Sequence, residues 1–169
     1  MGRMSRRIVP AVLLILIALF VAAFFIAAKL RYPGRATLKL PAADCNADLW
    51  KHVYSPERLR VIEACTAVEG RVASVHRAVD GDLHIGLEPE QRSILNLTNV
   101  MHAQRRLIVE VVCDHPSVKN QAGPACEGFA STIAAPNIGD HVRVTGAYVT
   151  DRDNGWNEVH PVTRIERLP

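Results

Sequence analysis

The chain has 169 residues, 49% of them hydrophobic and 22% charged, with a formal net charge of +3. That length suits one ordinary domain with an appendage and excludes a large multidomain enzyme. The apolar fraction excludes a wholly disordered chain. The positive charge is local. The first 35 residues carry Arg3, Arg6, Arg7, Lys29, Arg31 and Arg35 and no acid, so the remainder holds 14 bases against 17 acids.

Residues 8–28 form an unbroken apolar stretch, interrupted only by Pro10. At about 1.5 Å per residue it is long enough for one hydrocarbon core. A secretory signal has a shorter core and a small-x-small cleavage site, whereas here Phe25 or Ile26 falls at the −3 position. The pattern predicts a retained transmembrane helix. Residues 1–7 are then a cytoplasmic N-terminus and residues 29–44 a linker broken by Pro33, Gly34 and Pro41. Residues 45–169 are a domain outside the cytoplasm, on a single-pass cell-membrane protein. Positive charges on the two sides of the span nearly balance. The cysteines decide the orientation. Cys45, Cys65, Cys113 and Cys126 all follow the span, and an even count in an exported domain predicts two disulfides. Of three pairings the sequence-local one, Cys45–Cys65 with Cys113–Cys126, is expected. A zinc site lacks the C-x2-C pair it needs.

Along the domain, Asn46 is positioned to cap a short helix running through Val53, which Ser55-Pro56 ends. The first strand is predicted over Ile62–Val75, with Gly70 as a bend or bulge. Asp80-Gly81 is a hairpin turn signal. The second strand, Asp82–Glu88, alternates Leu83, Ile85 and Leu87 with polar residues. The third is Leu107–Cys113. Pro, Gly and polar residues dominate 114–136, with one helical turn near Cys126–Ser131. A turn at 137–140 leads to the fourth strand, His141–Val149. A polar loop at 151–155 precedes the fifth strand, Trp156–Ile165.

Five short strands, a long connection between the third and fourth, and a closing hairpin predict an all-β fold, a five-stranded OB-fold Greek-key barrel. The residues that carry a closer resemblance are Ile138-Gly139-Asp140-x-Val142-x-Val144-x-Gly146, Tyr148-Val149-x-Asp151 and Glu158-Val159-His160-Pro161-Val162. The chain resembles small exported bacterial OB-fold proteins, among them the periplasmic bacterial OB-fold group. It departs from that group at His160-Pro161, in its cysteines and in its anchor. Asp80–His84 and Gly155–Pro161 are similar to motifs of uncharacterised exported proteins. The resemblance spans residues 45–167 and implies a fold rather than an activity.

The polar residues of the strands are grouped. Asp82 and His84 share one face of the second strand and form the tightest expected pair. Glu110 interrupts the apolar third strand. Glu158 and His160 share one face of the fifth strand, near Asp151. In an OB-fold the second and third strands and the loops beside them surround the usual ligand surface. The fifth strand is expected beside the first, which sets Glu158 and His160 further from the ligand surface, and Asp82, His84, Glu110, Asp151, Glu158 and His160 together are the candidate ligand or metal cluster. Imidazoles with carboxylates can ligate a divalent metal or transfer protons. The alternatives are ligand contact and a purely structural role, with Glu110 paired to Arg105 or Arg106 and His160 packed at the barrel rim. Trp156 is a candidate binding aromatic or a clamp on the fourth–fifth loop.

Several chemistries fail on inspection. Asp151–Gly155 has its glycine one position early for a calcium loop, and Val162 stands where the bidentate Glu belongs. There is no G-x-S-x-G and no phosphate-binding glycine loop. Single-strand nucleic-acid binding needs a basic groove with aromatic platforms. The second and third strands lack Phe, Tyr and Trp, and three of the four Phe lie in the apolar N-terminal stretch. The expected function is therefore a binding module for a small ligand, glycan, peptide or envelope protein. A metal-dependent hydrolase and a structural or assembly role stand as alternatives.

Overall fold

The computed structural model describes residues 16–19, 38–119 and 121–169. The predicted 8–28 span lies outside the described residues except at 16–19, which are helical. Among the described residues no helix is long and apolar enough to cross a membrane. The described residues from Leu38 to Pro169 belong to one compact unit.

Its elements are β1 (Leu38–Lys39), β2 (Leu59–Arg77), β3 (Leu83–Pro89), α1 (Leu97–His102), β4 (Leu107–Val111), β5 (His141–Asp151) and β6 (Asn157–Arg167). All strands join one sheet in the order β1-β2-β3-β4-β6-β5, and β2 also pairs with β5. The sheet therefore returns on itself. The neighbours of β6 are β4, in parallel, and β5, antiparallel. The expected neighbour, the first strand, is corrected here: β2 lies between β3 and β5. With 19 residues, β2 is long enough to serve both partners.

Gly70 sits where β2 changes partner, opposite Pro89 of β3 and Val142 of β5. The irregularity of the β2–β3 ladder falls between Val72 and Ser74 rather than at Gly70. What Gly70 supplies is space, because a Cβ there would collide with the Glu88 carbonyl oxygen. The hairpin at 78–82 forms as expected, with Ala78 N–H donating to Asp82 O at 2.9 Å.

One strand, one α-helix and the short 3-10 helices Ala42–Asp44, Pro56–Arg58 and Arg92–Ile94 were not foreseen. β1 lies within the predicted linker, with Leu38 opposite Ala67. α1 follows β3, and the side chains of Asn96 and Asn99 cap its first turn reciprocally. The segment after Asn46 is a 3-10 helix, Ala47–His52, with the Asn46 side chain accepting from Asp48 N–H. The helical turn expected near 126–131 lies earlier, at Gly123–Cys126.

There are two apolar clusters. The larger includes Val72, Leu83, Ile85, Leu87, Leu107, Val109, Val144 and Val159. Full burial of such a side chain contributes about 1.5–3 kcal/mol. The smaller contains Leu49, Val53, Leu59, Val112, Cys113, Ala147 and Val149, with Trp50, Cys126 and Phe129 against it. It joins two irregular segments, 42–58 and 113–131, to the sheet. Each segment carries one disulfide, Cys45–Cys65 and Cys113–Cys126, the pairing expected from the sequence. The segments also meet each other: the His52 and Phe129 rings stack at 3.9 Å, and His52 Nδ1 lies 2.8 Å from Ala125 O.

Cys45–Cys65 closes a separation of 20 residues. Replacing both cysteines with Ser is expected to cost about 3 kcal/mol on the chain-entropy model. The urea midpoint of the isolated domain reads this directly. An unchanged midpoint would mean that apolar packing alone holds the 42–58 segment.

Candidate functional site

Side chains alternate between the two faces of a strand. In β3, β4 and β6 one set enters the larger core: Leu83, Ile85, Leu107, Val109 and Val159. His84, Glu110, Glu158 and His160 have the opposite parity. Register then aligns them. His76 lies across from His84, and His84 across from Glu110. In the parallel β4–β6 pair, Ile108 faces Glu158 and Val109 faces Val159, so Glu110 and His160 are neighbours. Exposure falls along this row. His76 is exposed, the His84 side chain is 33% exposed, Glu110 3% and His160 0%.

His160 Nδ1 lies 2.8 Å from Glu110 Oε2 and 3.1 Å from Glu158 Oε1. Glu158 Oε2 accepts the Trp156 indole N–H at 3.0 Å. Asp82 Oδ1 accepts the Cys113 N–H at 2.9 Å, and its Oδ2 is 4.0 Å from His160 Nε2. His84 Nε2 is 3.5 Å from Glu110 Oε1. Arg58 enters from the 3-10 turn before β2 and pairs with Asp151. Its guanidinium also lies 3.7 Å from Glu110 Oε2 and 3.8 Å from Glu158 Oε1. Asp151 holds the turn after β5, accepting from Asp153 N–H at 2.7 Å and Asn154 Nδ2 at 2.8 Å.

The structure thus brings Asp82, His84, Glu110, Asp151, Glu158 and His160 together. Several details differ from the sequence reading. The shortest contact to the histidines is Glu110–His160, not Asp82–His84, because the parallel β4–β6 pairing was not foreseen. Glu110 pairs with His160 rather than with Arg105 or Arg106. His160 is enclosed rather than at a rim. Trp156 is half-buried and bound to Glu158 through its indole nitrogen. Arg58 was missed. It stands in a Ser-Pro-Glu-Arg turn with no periodicity, and nothing local marks it as the partner of residues on β4, β5 and β6.

Burial opposes charge throughout the cluster, and the neighbours decide each outcome. Burial raises the Glu110 carboxyl, but the His160 imidazolium, His84 and Arg58 outweigh it and hold the group down to about 2. Burial lowers His160, but Glu110 and Glu158 push it up to about 10. Burial dominates at Asp82, raising it to about 6 against the Cys113 hydrogen bond. Burial also raises Glu158, with Glu110 adding to it. Chemically the arrangement holds an imidazolium between carboxylates, and it offers carboxylate oxygens to a cation together with the His160 imidazole once its Nε2 proton is released.

Neither protein-family models nor curated proteins give a match to this chain.

The two shifts of the Glu110–His160 pair have opposite pH limits. Glu110 falls from 4.5 to about 2, so its contribution is present above pH 4.5 and lost as pH falls towards 2. His160 rises from 6.5 to about 10, so its contribution is present below pH 6.5 and lost as pH rises through 10. Asp82, raised from 3.8 to about 6, favours the folded state in acid and loses that effect as pH climbs through 6. Stability should therefore decline from pH 6.5 to 10. His160→Gln should flatten that alkaline decline and cost about 3–5 kcal/mol at pH 6, since it leaves buried carboxylates unpaired. Urea midpoints across this range check both. An alkaline slope unchanged in the variant contradicts the assignment.

Proposed function

We propose that this chain is a membrane-anchored, extracytoplasmic binding module of the OB-fold class that holds a small anionic ligand on the outer face of β2–β4. The strand order supports the class. The circuit β2-β3-β4-β6-β5 closes on β2, with β4–β6 parallel, as in a five-stranded Greek-key barrel of that type. β3 and β4 then correspond to the two strands that usually carry the ligand surface. Two disulfides support an oxidising compartment. The apolar 8–28 stretch supports an anchor.

One observation carries the ligand class. Arg106 packs against Gly86 of β3, where a Cβ would come within 2.9 Å of Arg106 Cδ. Its guanidinium reaches Ser74 Oγ at 3.5 Å, and its Nε is buried with no hydrogen-bond partner. Among the described residues no carboxylate pairs with it. Ser74 contacts it from β2, and the exposed His76 lies two residues further along that strand, opposite His84. A cation, a hydroxyl and an imidazole on one face suit a carboxylate or phosphate group. A hydrolytic role for the acid–histidine cluster is less well supported, because a substrate would have to reach side chains that are 0–4% exposed.

Titrating the domain with inorganic phosphate and, separately, with glucuronate tests the reading and tells phosphate from carboxylate ligands. The His76 ring signals are expected to shift with at least one probe. Arg106→Ala should weaken binding about tenfold, the effect of losing one hydrogen bond from a charged group. No shift with either probe at millimolar concentration, or equal shifts in the variant, would refute it.

A further inference from the structure

We propose that Asp82, Glu110 and His160 form a divalent metal site inside the domain, reached from the surface past His84. One ligand atom from each of the three residues lies within 4.8 Å of the other two. They arise from three separate parts of the chain. Asp82 is the last residue of the turn before β3, Glu110 is in β4, and His160 is in β6.

The cluster alone would be consistent with an internal ion-pair network. A second observation points to a ligand. His160 is completely buried, yet its Nε2 has no hydrogen-bond partner among the described residues. The other ring nitrogen is occupied: Nδ1 contacts Glu158 at 3.1 Å and Glu110 at 2.8 Å. Nε2 instead faces Asp82 Oδ2 at 4.0 Å, too long for a hydrogen bond. His84 Nε2 is likewise buried without a hydrogen-bonded partner. A carboxylate that holds one imidazole nitrogen while the other points at an oxygen-rich space is the usual support for a metal-bound histidine. Glu158 fills that supporting role here, and Trp156 in turn holds Glu158.

Charge agrees with this arrangement. Arg58 pairs with Asp151 and lies 3.7 Å from Glu110 and 3.8 Å from Glu158, so four carboxylates, Asp82, Glu110, Asp151 and Glu158, face one guanidinium and one imidazole. A divalent cation supplies the missing positive charge and displaces the Nε2 proton of the His160 imidazolium, which is released to solvent as the ion binds. Two carboxylates and an imidazole select ions of intermediate hardness such as Mn²⁺ or Zn²⁺ over soft ions. No thiol competes, because both cysteine pairs are oxidised. The backbone is suited to holding the ligands. Glu110 and His160 lie on paired strands, so the sheet ladder, not a loop, sets their separation. Access follows the exposure gradient: His84 is 33% exposed and touches Glu110 from the solvent side. The site does not depend on the anion-binding reading, which rests on Arg106.

The chelator-treated domain should bind one Zn²⁺ per chain by calorimetry, with a raised melting temperature. Substoichiometric Mn²⁺ should broaden the ring signals of His160 and His84 before those of the other histidines. Asp82→Asn should weaken the affinity about tenfold or more while keeping the native circular dichroism. A second acid–histidine group, Glu69, Glu90 and His141, lies on the surface, so His141→Ala is the control and should leave binding unchanged. The proposal is overturned if no ion binds at millimolar concentration, if Mn²⁺ broadens His141 first, or if His141→Ala removes the binding. Should Asp82→Asn fail to fold, the broadening pattern in the unaltered protein decides the question alone. Loss of phosphate or glucuronate binding with metal binding intact would separate this site from the outer face.

Discussion

An imidazole with no exposed surface has to be surrounded by groups that suit it, and His160 sets that requirement for the middle of this domain. It sits between Glu110 and Glu158. The contact depends on β4 and β6 pairing in parallel, in the register that sets Ile108 opposite Glu158. A one-residue slip would send Glu110 or His160 into the apolar core. The ionic cluster and the strand order are thus mutually dependent. A buried charge without a partner is strongly unfavourable, so the wrong register is disfavoured twice, by lost apolar burial and by an unpaired charge.

The outer face of a sheet this size is ordinarily wet, and here part of it is covered. The segments 42–58 and 113–131 lie over it, packed through Leu49, Val53 and Val112, and each is held by a disulfide. The same cover delivers Arg58 to Asp151, Glu110 and Glu158, and the Cys113 backbone N–H to Asp82. The cysteines therefore do more than constrain the unfolded chain. They keep in place the cover that lowers the dielectric around the cluster and so strengthens every electrostatic interaction there.

A second polar network holds the other side of the β5–β6 hairpin. The Asn99 side chain donates to Arg106 O and Asn157 O and accepts from Asn157 N–H. Asn157 Nδ2 donates to Tyr148 Oη and to Ile94 O. Asn96 caps α1 and reaches Gly155 O. The Asn99 contact to Arg106 O anchors the start of β4 beside the side chain that packs against Gly86. Neutral amides serve here because they satisfy backbone groups without a desolvated charge.

Local chemistry was legible in the sequence. Alternation of Leu83, Ile85 and Leu87, the Asp80-Gly81 turn, the Asn46 cap and the two near-neighbour cysteine pairs depend on residues a few places apart, and physical periodicity reports them. The polar residues of the cluster could be singled out because each breaks an apolar pattern. The partner of each could not be read, because alternation tells which face a side chain takes and not which strand lies beside it. Arg58 shows the limit most clearly: its turn has no pattern, and its partners are far along the chain. Which strands became neighbours, which face was covered and which histidine lost all contact with solvent were decided by tertiary structure. Those outcomes follow from closing the sheet through β2–β5 and burying a second apolar cluster, and both are long-range terms that no local window contains.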